Sequence, residues 1–182
     1  MTQHLPIWYM GKLSSEICDQ AKNELLALPM QDAAMGINGE VKQDSQRKTS
    51  VVFAPFDFWL GKDMEAIANF GNKECRWNYD IPGREAIQFA EYRPGQHYDW
   101  HVDYFPLCGA DTDRKVSVVC LLNDPNEFEG GKFQMRLYSE FTAPLEKGSI
   151  IAFPSILEHR VTPVTSGVRY SATMWFHGPR FK

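Results

Sequence analysis

A surplus of positive charge is the first thing missing from this chain. Nineteen Lys and Arg stand against 23 Asp and Glu, a formal net charge of −4, so no strong cationic field is available to gather nucleic-acid phosphates or anionic lipid. Long apolar runs are missing as well. None approaches the roughly 18 residues that a membrane-spanning helix needs, and the first residues have neither the basic start nor the apolar stretch of a secretory signal. Together these absences predict a cytoplasmic protein that engages no membrane. Cysteine is scarce and scattered. Cys18, Cys75, Cys108 and Cys120 form no CxxC pair and no zinc-type spacing, which reads as reduced thiols packed as small apolar groups. No internal repeat or low-complexity segment is present.

What is there is the composition of a globular chain: 43% hydrophobic and 13% aromatic residues against 23% charged, enough to bury a core. A length of 182 residues suits one folding unit. Residues 1–84 read as helical and strand support for the remainder of the chain. Ser14 or Ser15 can cap a helix to about Leu28, on which Ile17, Ala21, Leu25 and Leu28 recur at helical spacing before Pro29. Residues 30–48 are polar, carry Gly36 and Gly39, and read as a loop or weak hairpin. A strand over 49–53 and a second helix over about 57–70, stopped by Gly71, complete this part.

From Glu85 the character changes. Short β-rich runs at 86–92, 97–104, 115–122, 132–138, 149–153 and 168–176 are separated by turn clusters such as Arg93-Pro94-Gly95, Gly130-Gly131 and Glu146-Lys147-Gly148. That rhythm predicts a mainly β (α+β) architecture, an antiparallel sandwich or jelly roll over 85–178 with helices packed on one side.

His101-Val102-Asp103 sets an imidazole and a carboxylate two residues apart, and on a strand such residues project from one face. Alone the pattern is weak, since any two half-buried polar residues on a strand produce it. His159, just past the apolar run Ile150-Ile151-Ala152-Phe153, is the best candidate for a third ligand, although by itself it also reads as a surface histidine. Two His and one carboxylate form the facial set that leaves half of an octahedral iron(II) open for substrate and oxygen. A closed four-ligand set would suit structural zinc better.

Arg169 opens an alternating segment in which Arg169, Ser171 and Thr173 share one face and Tyr170, Ala172, Met174 and Phe176 the other. An inward arginine needs a partner, because a buried unpaired guanidinium costs several kcal/mol. Its planar fork fits a carboxylate bidentately, and Ser171 can add a hydroxyl donor. The distal carboxylate of 2-oxoglutarate is one such partner, and an acid of the chain itself is the other.

Taken together, Gln88, Tyr92, Gly95, Gln96 and Tyr98 leading to His101 and Asp103, then Arg114-Lys115-Val116-Ser117, Leu122-Asn123, Glu129-Gly130-Gly131, Gly148, Phe153-Pro154, His159 and Arg169-Tyr170-Ser171 resemble the 2-oxoglutarate/iron(II) oxygenases, prolyl 4-hydroxylase-like branch. The resemblance implies a double-stranded β-helix with iron in its open mouth. His101, Asp103 and His159 would be the ligands, Arg169 the co-substrate anchor with Ser171 beside it, and Tyr92 a tyrosine reaching into the co-substrate pocket. It implies a dioxygenase that uses Fe(II), 2-oxoglutarate and O2, hydroxylates a substrate and releases succinate and CO2. A prolyl residue in a polypeptide is the first guess for substrate, with a free amino acid or other small metabolite, or a non-catalytic jelly-roll binding module, as alternatives. Three departures narrow it. Leu121 stands where oxygen-sensing relatives carry a tyrosine, Trp175 stands where base-repairing relatives carry a second arginine, and Asp103 is present where halogenating relatives have lost the carboxylate.

His97 and His101 would make an i, i+4 pair on a helix, but Pro94-Gly95 and the alternation of Tyr98, Trp100, Val102 and Tyr104 argue for a strand. His97 and Asp99 are then expected on the ligand face toward the mouth, as solvated rim or in contact with substrate. Trp100, Tyr104, Phe105 and Trp175 are candidate pocket walls or plain core. The run Asp111-Thr112-Asp113-Arg114-Lys115 reads as a solvated turn.

Overall fold

Ser14 caps the first helix as its position suggests, accepting a hydrogen bond from the Ile17 amide, which satisfies one of the orphan donors of the first turn. The computed structural model describes residues 6–33, 46–104 and 111–181, so Cys108, Phe105 and most of the 30–48 stretch lie outside the described residues. The chain enters on β1 (Tyr9–Lys12), forms helix α1 (Ser15–Leu26), and passes β2 (Gln31–Asp32), β3 (Arg47–Lys48) and β4 (Ser50–Phe53) to helix α2 (Leu60–Glu74). Then come β5 (Gly83–Arg84), β6 (Gln88–Tyr92), β7 (His97–His101) and β8 (Thr112–Leu121). A 3-10 turn at Pro125–Glu127 leads to β9 (Phe128–Gly130), β10 (Phe133–Arg136), β11 (Glu140–Thr142) and β12 (Ser149–Pro154). The last strands are β13 (Glu158–Val161), β14 (Val164–Gly167) and β15 (Arg169–Pro179).

An eight-stranded sheet in the order β1-β12-β8-β15-β6-β4-β2, with β5 on the end of β15, faces a five-stranded sheet β11-β10-β13-β7-β3. All of these pairings are antiparallel. The period-2 alternation of strands sorts their side chains into two layers. Val116, Val118 and Cys120 of β8, with Ala172, Met174 and Phe176 of β15, pack under the helices against Cys18, Ala21, Leu25, Leu60 and Met64. The opposite faces meet the smaller sheet, where Val119, Tyr92, Phe133, Phe153 and Val161 form an inner core. This is the jelly roll expected from the sequence, with the helices on one side, and Arg169, Ser171 and Thr173 are turned inward.

Several boundaries differ from expectation. Helix α2 starts at Leu60 and runs past Gly71. That glycine is a close-approach position rather than a stop, because a Cβ there would lie 2.9 Å from the Tyr9 Cβ. β1 is an addition to the expected strands; it joins the edge of the larger sheet through β12. β8 begins at Thr112, and the supposed solvated turn is largely its first stretch. Asp113 and Lys115 are buried there, with Lys115 Nζ 3.5 Å from Asp113 Oδ2 and over the Phe181 ring. Cys18, Cys75 and Cys120 are buried free thiols, as expected. Among the described residues no helix is long and apolar enough to cross a membrane.

Candidate metal centre and co-substrate pocket

Two strands of the smaller sheet and the bend after one of them bring the ligand candidates together. His159 sits on β13 directly opposite His101 at the end of β7, so the two imidazoles are cross-strand neighbours with ring centroids 4.2 Å apart. Asp103 lies just past the strand rather than on it. Its amide and that of Tyr104 donate to the Ser155 carbonyl, which ties this bend to the end of β12 and turns the carboxylate back toward the histidines. Oδ1 lies 3.7 Å from His101 Nε2, and Oδ2 lies 3.5 Å from His159 Nε2.

The second nitrogen of each ring is already committed. His101 Nδ1 donates to the Asp99 carbonyl at 2.7 Å and His159 Nδ1 to the Leu157 carbonyl at 2.9 Å. A carbonyl only accepts, so each Nδ1 carries a proton, and the tautomer this leaves to a neutral ring presents an Nε2 lone pair. Two such lone pairs and a carboxylate converge in a buried space, an arrangement that is repulsive until a cation enters. Burial, with the neighbouring His159, pushes His101 down to about 4 against a partial pull upward from Asp103. Burial works to raise Asp103, but the imidazoles and the Ser117 hydroxyl outweigh it, and the carboxyl is held below its ordinary value. The ring is thus neutral and the carboxylate charged near neutral pH, which are the ligating forms. Among the described residues these three form the one cluster of His, Cys and acidic groups close enough to share an ion. Two nitrogens, one carboxylate and no thiolate suit iron(II) with open positions better than a closed zinc site.

Arg169 lies on the same cavity at 1% exposure. Nη1 donates to Ser171 Oγ at 2.9 Å, whereas Nη2 is buried with no hydrogen-bond partner. Among the described residues no carboxylate lies within ion-pairing distance of it, so the internal salt bridge is not the arrangement seen. Burial pulls this guanidinium below its ordinary value, a penalty that a bound carboxylate would offset. Tyr92 is buried beside it, with the guanidinium 5.4 Å from the ring centre. Gly131, at φ 55°, leaves room for the arginine stem; a Cβ there would come within 2.9 Å of Arg169 Cδ.

The expectation for His97 and Asp99 is overturned by a β-bulge. Between Tyr98 and His101, β7 has three steps where β13 has two from Val161 to His159, and one extra residue reverses the facing of everything before it. Tyr98 therefore turns inward with His101, its ring stacked on the imidazole at 3.4 Å, while His97 and Asp99 do not line the cavity. Asp99 is exposed, near Arg160. Trp100 also points away from the cavity, between the guanidinium groups of Arg136 and Arg160, and Tyr104 leans on Phe181. Of the four aromatic candidates, Trp175 does line the cavity, under the guanidinium of Arg114, which is paired bidentately with Glu85.

Sequence reasoning missed Arg47, Ser117 and Ser155. Arg47 lines the cavity from the edge strand β3, lies over Tyr98 and donates to Gln88. Nothing in the 30–48 stretch marks it as a site element. Ser117 stands out in the sequence only as part of a motif, although its inward position follows from the alternation of β8.

Two layers of antiparallel strands wrapped about two histidines, one carboxylate and a lone buried arginine define a double-stranded β-helix of the metal-dependent oxygenase class. The family model described as the 2OG-Fe(II) oxygenase superfamily matches residues 87–177, and the chain belongs to that superfamily. It is 34% identical over 92 residues to a PKHD-type hydroxylase of Janthinobacterium sp. (strain Marseille), a match covering 48% of this chain and 41% of that protein. The chain thus spans well under half the length of that relative. In structure it is similar to a Pseudomonas putida prolyl-4-hydroxylase, with a TM-score of 0.72 and 22% identity over 97% of this chain and 94% of that one. It is likewise similar to a Trichoplax adhaerens prolyl hydroxylase in complex with a hypoxia inducible factor peptide fragment (TM-score 0.72, 20% identity, 93% and 83% covered). At these identities the two structures speak for the fold.

Proposed function

We propose that this chain is an iron(II)- and 2-oxoglutarate-dependent dioxygenase that hydroxylates a prolyl residue in a polypeptide. His101, Asp103 and His159 would hold the metal, and Arg169 with Ser171 the distal carboxylate of the co-substrate. The observation that carries this is the pairing of three converging lone-pair donors with a buried guanidinium that has, among the described residues, no carboxylate partner and one nitrogen, Nη2, without a hydrogen bond, all in one cavity. A metal-binding module without a co-substrate would give that guanidinium nothing to do. Bound together, iron(II), 2-oxoglutarate and O2 supply the oxidant for C–H hydroxylation, with succinate and CO2 as co-products. The chain's own part is orientation and exclusion of water. Backbone carbonyls aim the imidazoles; Arg169 and Ser171 set the reach of the co-substrate; Val119, Phe133 and Val161 keep the surround apolar. The prolyl substrate rests on the family and on the hydroxylase names of its relatives, with a free amino acid or small metabolite as the other outcome of a substrate panel.

The test is spectroscopic first. With iron(II) and 2-oxoglutarate in the absence of oxygen, the protein is expected to show the weak visible absorption of the chelate, and His101→Ala and His159→Ala are expected to lose it. Full-strength absorption in either variant would remove that residue from the ligand set. Succinate release coupled to a proline-containing peptide, against a panel of amino acids and metabolites, then decides the substrate.

A further inference from the structure

Asp103 meets the two histidines almost symmetrically, one oxygen beside each Nε2 at 3.7 and 3.5 Å. Carboxylates ligate metals through one oxygen or through both, and nothing in those two distances chooses between the modes. The choice matters, because a co-substrate chelate and oxygen together need three positions, and a second carboxylate contact would occupy one of them.

The symmetry is broken from behind. Ser117 Oγ donates to Asp103 Oδ2 at 2.7 Å, and Ser155 Oγ lies 2.9 Å from Ser117 Oγ. A carboxylate only accepts, so the single Ser117 proton is committed to Asp103 and Ser155 must donate to Ser117. The chain of hydroxyls therefore has one direction, toward Oδ2. Both serines have 0% exposure, which removes competition from water and strengthens the two bonds. Ser117 is held in the middle of the larger sheet between Phe153 and Trp175. Ser155 is fixed by its amide on the Lys115 carbonyl, while its own carbonyl takes the Asp103 and Tyr104 amides. The Trp175 indole nitrogen lies beside the same carboxylate and exerts a slight pull on it, but without hydrogen-bond geometry, so the serines dominate.

We propose that Ser117, backed by Ser155, is a positioning residue that holds Asp103 Oδ2 away from the metal, so that the carboxylate ligates through Oδ1 alone and the co-substrate keeps its two positions. The proposal rests on the iron and 2-oxoglutarate reading of the site. A hydrogen bond from a buried hydroxyl draws electron density from the oxygen it touches and leaves the other the better donor. If the serines only satisfied a buried carboxylate, their loss would loosen metal and co-substrate together. If they set the denticity, the two affinities move apart.

The experiment uses the full chain with Ser117→Ala, Ser117→Thr and Ser155→Ala. Mn(II) affinity is read from the electron paramagnetic resonance of free Mn(II), and 2-oxoglutarate affinity from the chelate absorption with iron(II) in the absence of oxygen. Ser117→Ala is expected to bind Mn(II) as well as the wild type or better, and 2-oxoglutarate about tenfold or more weakly, since a hydrogen bond to a charged group is removed. Ser117→Thr restores both. Ser155→Ala shifts 2-oxoglutarate affinity less and in the same direction, because Ser117 keeps its bond to Asp103. Wild-type 2-oxoglutarate affinity in Ser117→Ala, or a parallel loss of metal and co-substrate that threonine does not rescue, overturns the proposal. Should Ser117→Ala fail to fold, an unchanged Ser155→Ala overturns it equally. A wild-type protein that never develops the chelate absorption would instead sink the oxygenase reading itself.

Discussion

At the scale of single residues, His101 is the group whose charge the fold controls most visibly. Its pKa falls to about 4 from an ordinary 6.5, chiefly through burial and then through His159. A folded-state value below the unfolded one means that the unfolded chain binds more protons as the pH drops. The stability that the neutral ring contributes is therefore present above about pH 6.5 and is lost as the pH falls toward 4. For metal-free protein this amounts to about 2 kcal/mol between pH 7 and pH 5. Urea unfolding at those two pH values should show the loss in the wild type and a correspondingly smaller one in His101→Ala; equal pH dependence would mean that the ring is not held neutral. His101, Asp103, His159 and Arg169 were legible in the sequence because few roles inside a β-sandwich suit those residue types. Ser117 and Ser155 were not, since serine is common at turns and in sheets and only the third dimension joins them.

Among the elements, β8 and β15 were the most readable, because alternation assigns every side chain to one of two layers once a single inward residue is known. What misled was local irregularity: the bulge that reverses the outer half of β7, and a charged start to β8 that composition alone assigns to solvent. Gly131, in the turn between β9 and β10, shows how a connection can serve the site. Its φ of 55° and its 2.9 Å clearance to Arg169 Cδ leave no space for a methyl group. Gly131→Ala is expected to destabilise the fold by about 1 kcal/mol or more and to weaken 2-oxoglutarate binding by displacing the arginine stem. Denaturant midpoints and a co-substrate titration read the two effects separately. An alanine variant with undiminished co-substrate affinity would show that the turn does not brace the anchor.

For the whole molecule, a ligand that binds only the folded state raises stability by mass action, by about 2.7 kcal/mol at a hundred times its dissociation constant. Mn(II) and 2-oxoglutarate should therefore each raise the thermal midpoint, the second only after the first if the co-substrate chelates the metal. Arg169→Ala should keep the metal increment and lose most of the co-substrate increment at the same concentration. If both increments survive, the anchor is another residue. The architecture and its superfamily were readable from motif order, but the surroundings of the mouth were less so. They draw on Arg47, Tyr98, Arg114 and Trp175, four separated stretches whose convergence depends on strand order and on one irregular ladder.

That irregular ladder also bears on how the site responds to a change in chain length, a matter unrelated to residue chemistry. Asp99 and Trp100 point away from the cavity, so exchanging either side chain leaves His101, Asp103 and His159 where they are. Removing either residue would straighten β7 into register with β13, leaving Tyr98 and His101 two residues apart and so still on one face. Two neighbouring positions are thus permissive to substitution, and the loss of one of them would keep the inward pair while removing the irregularity.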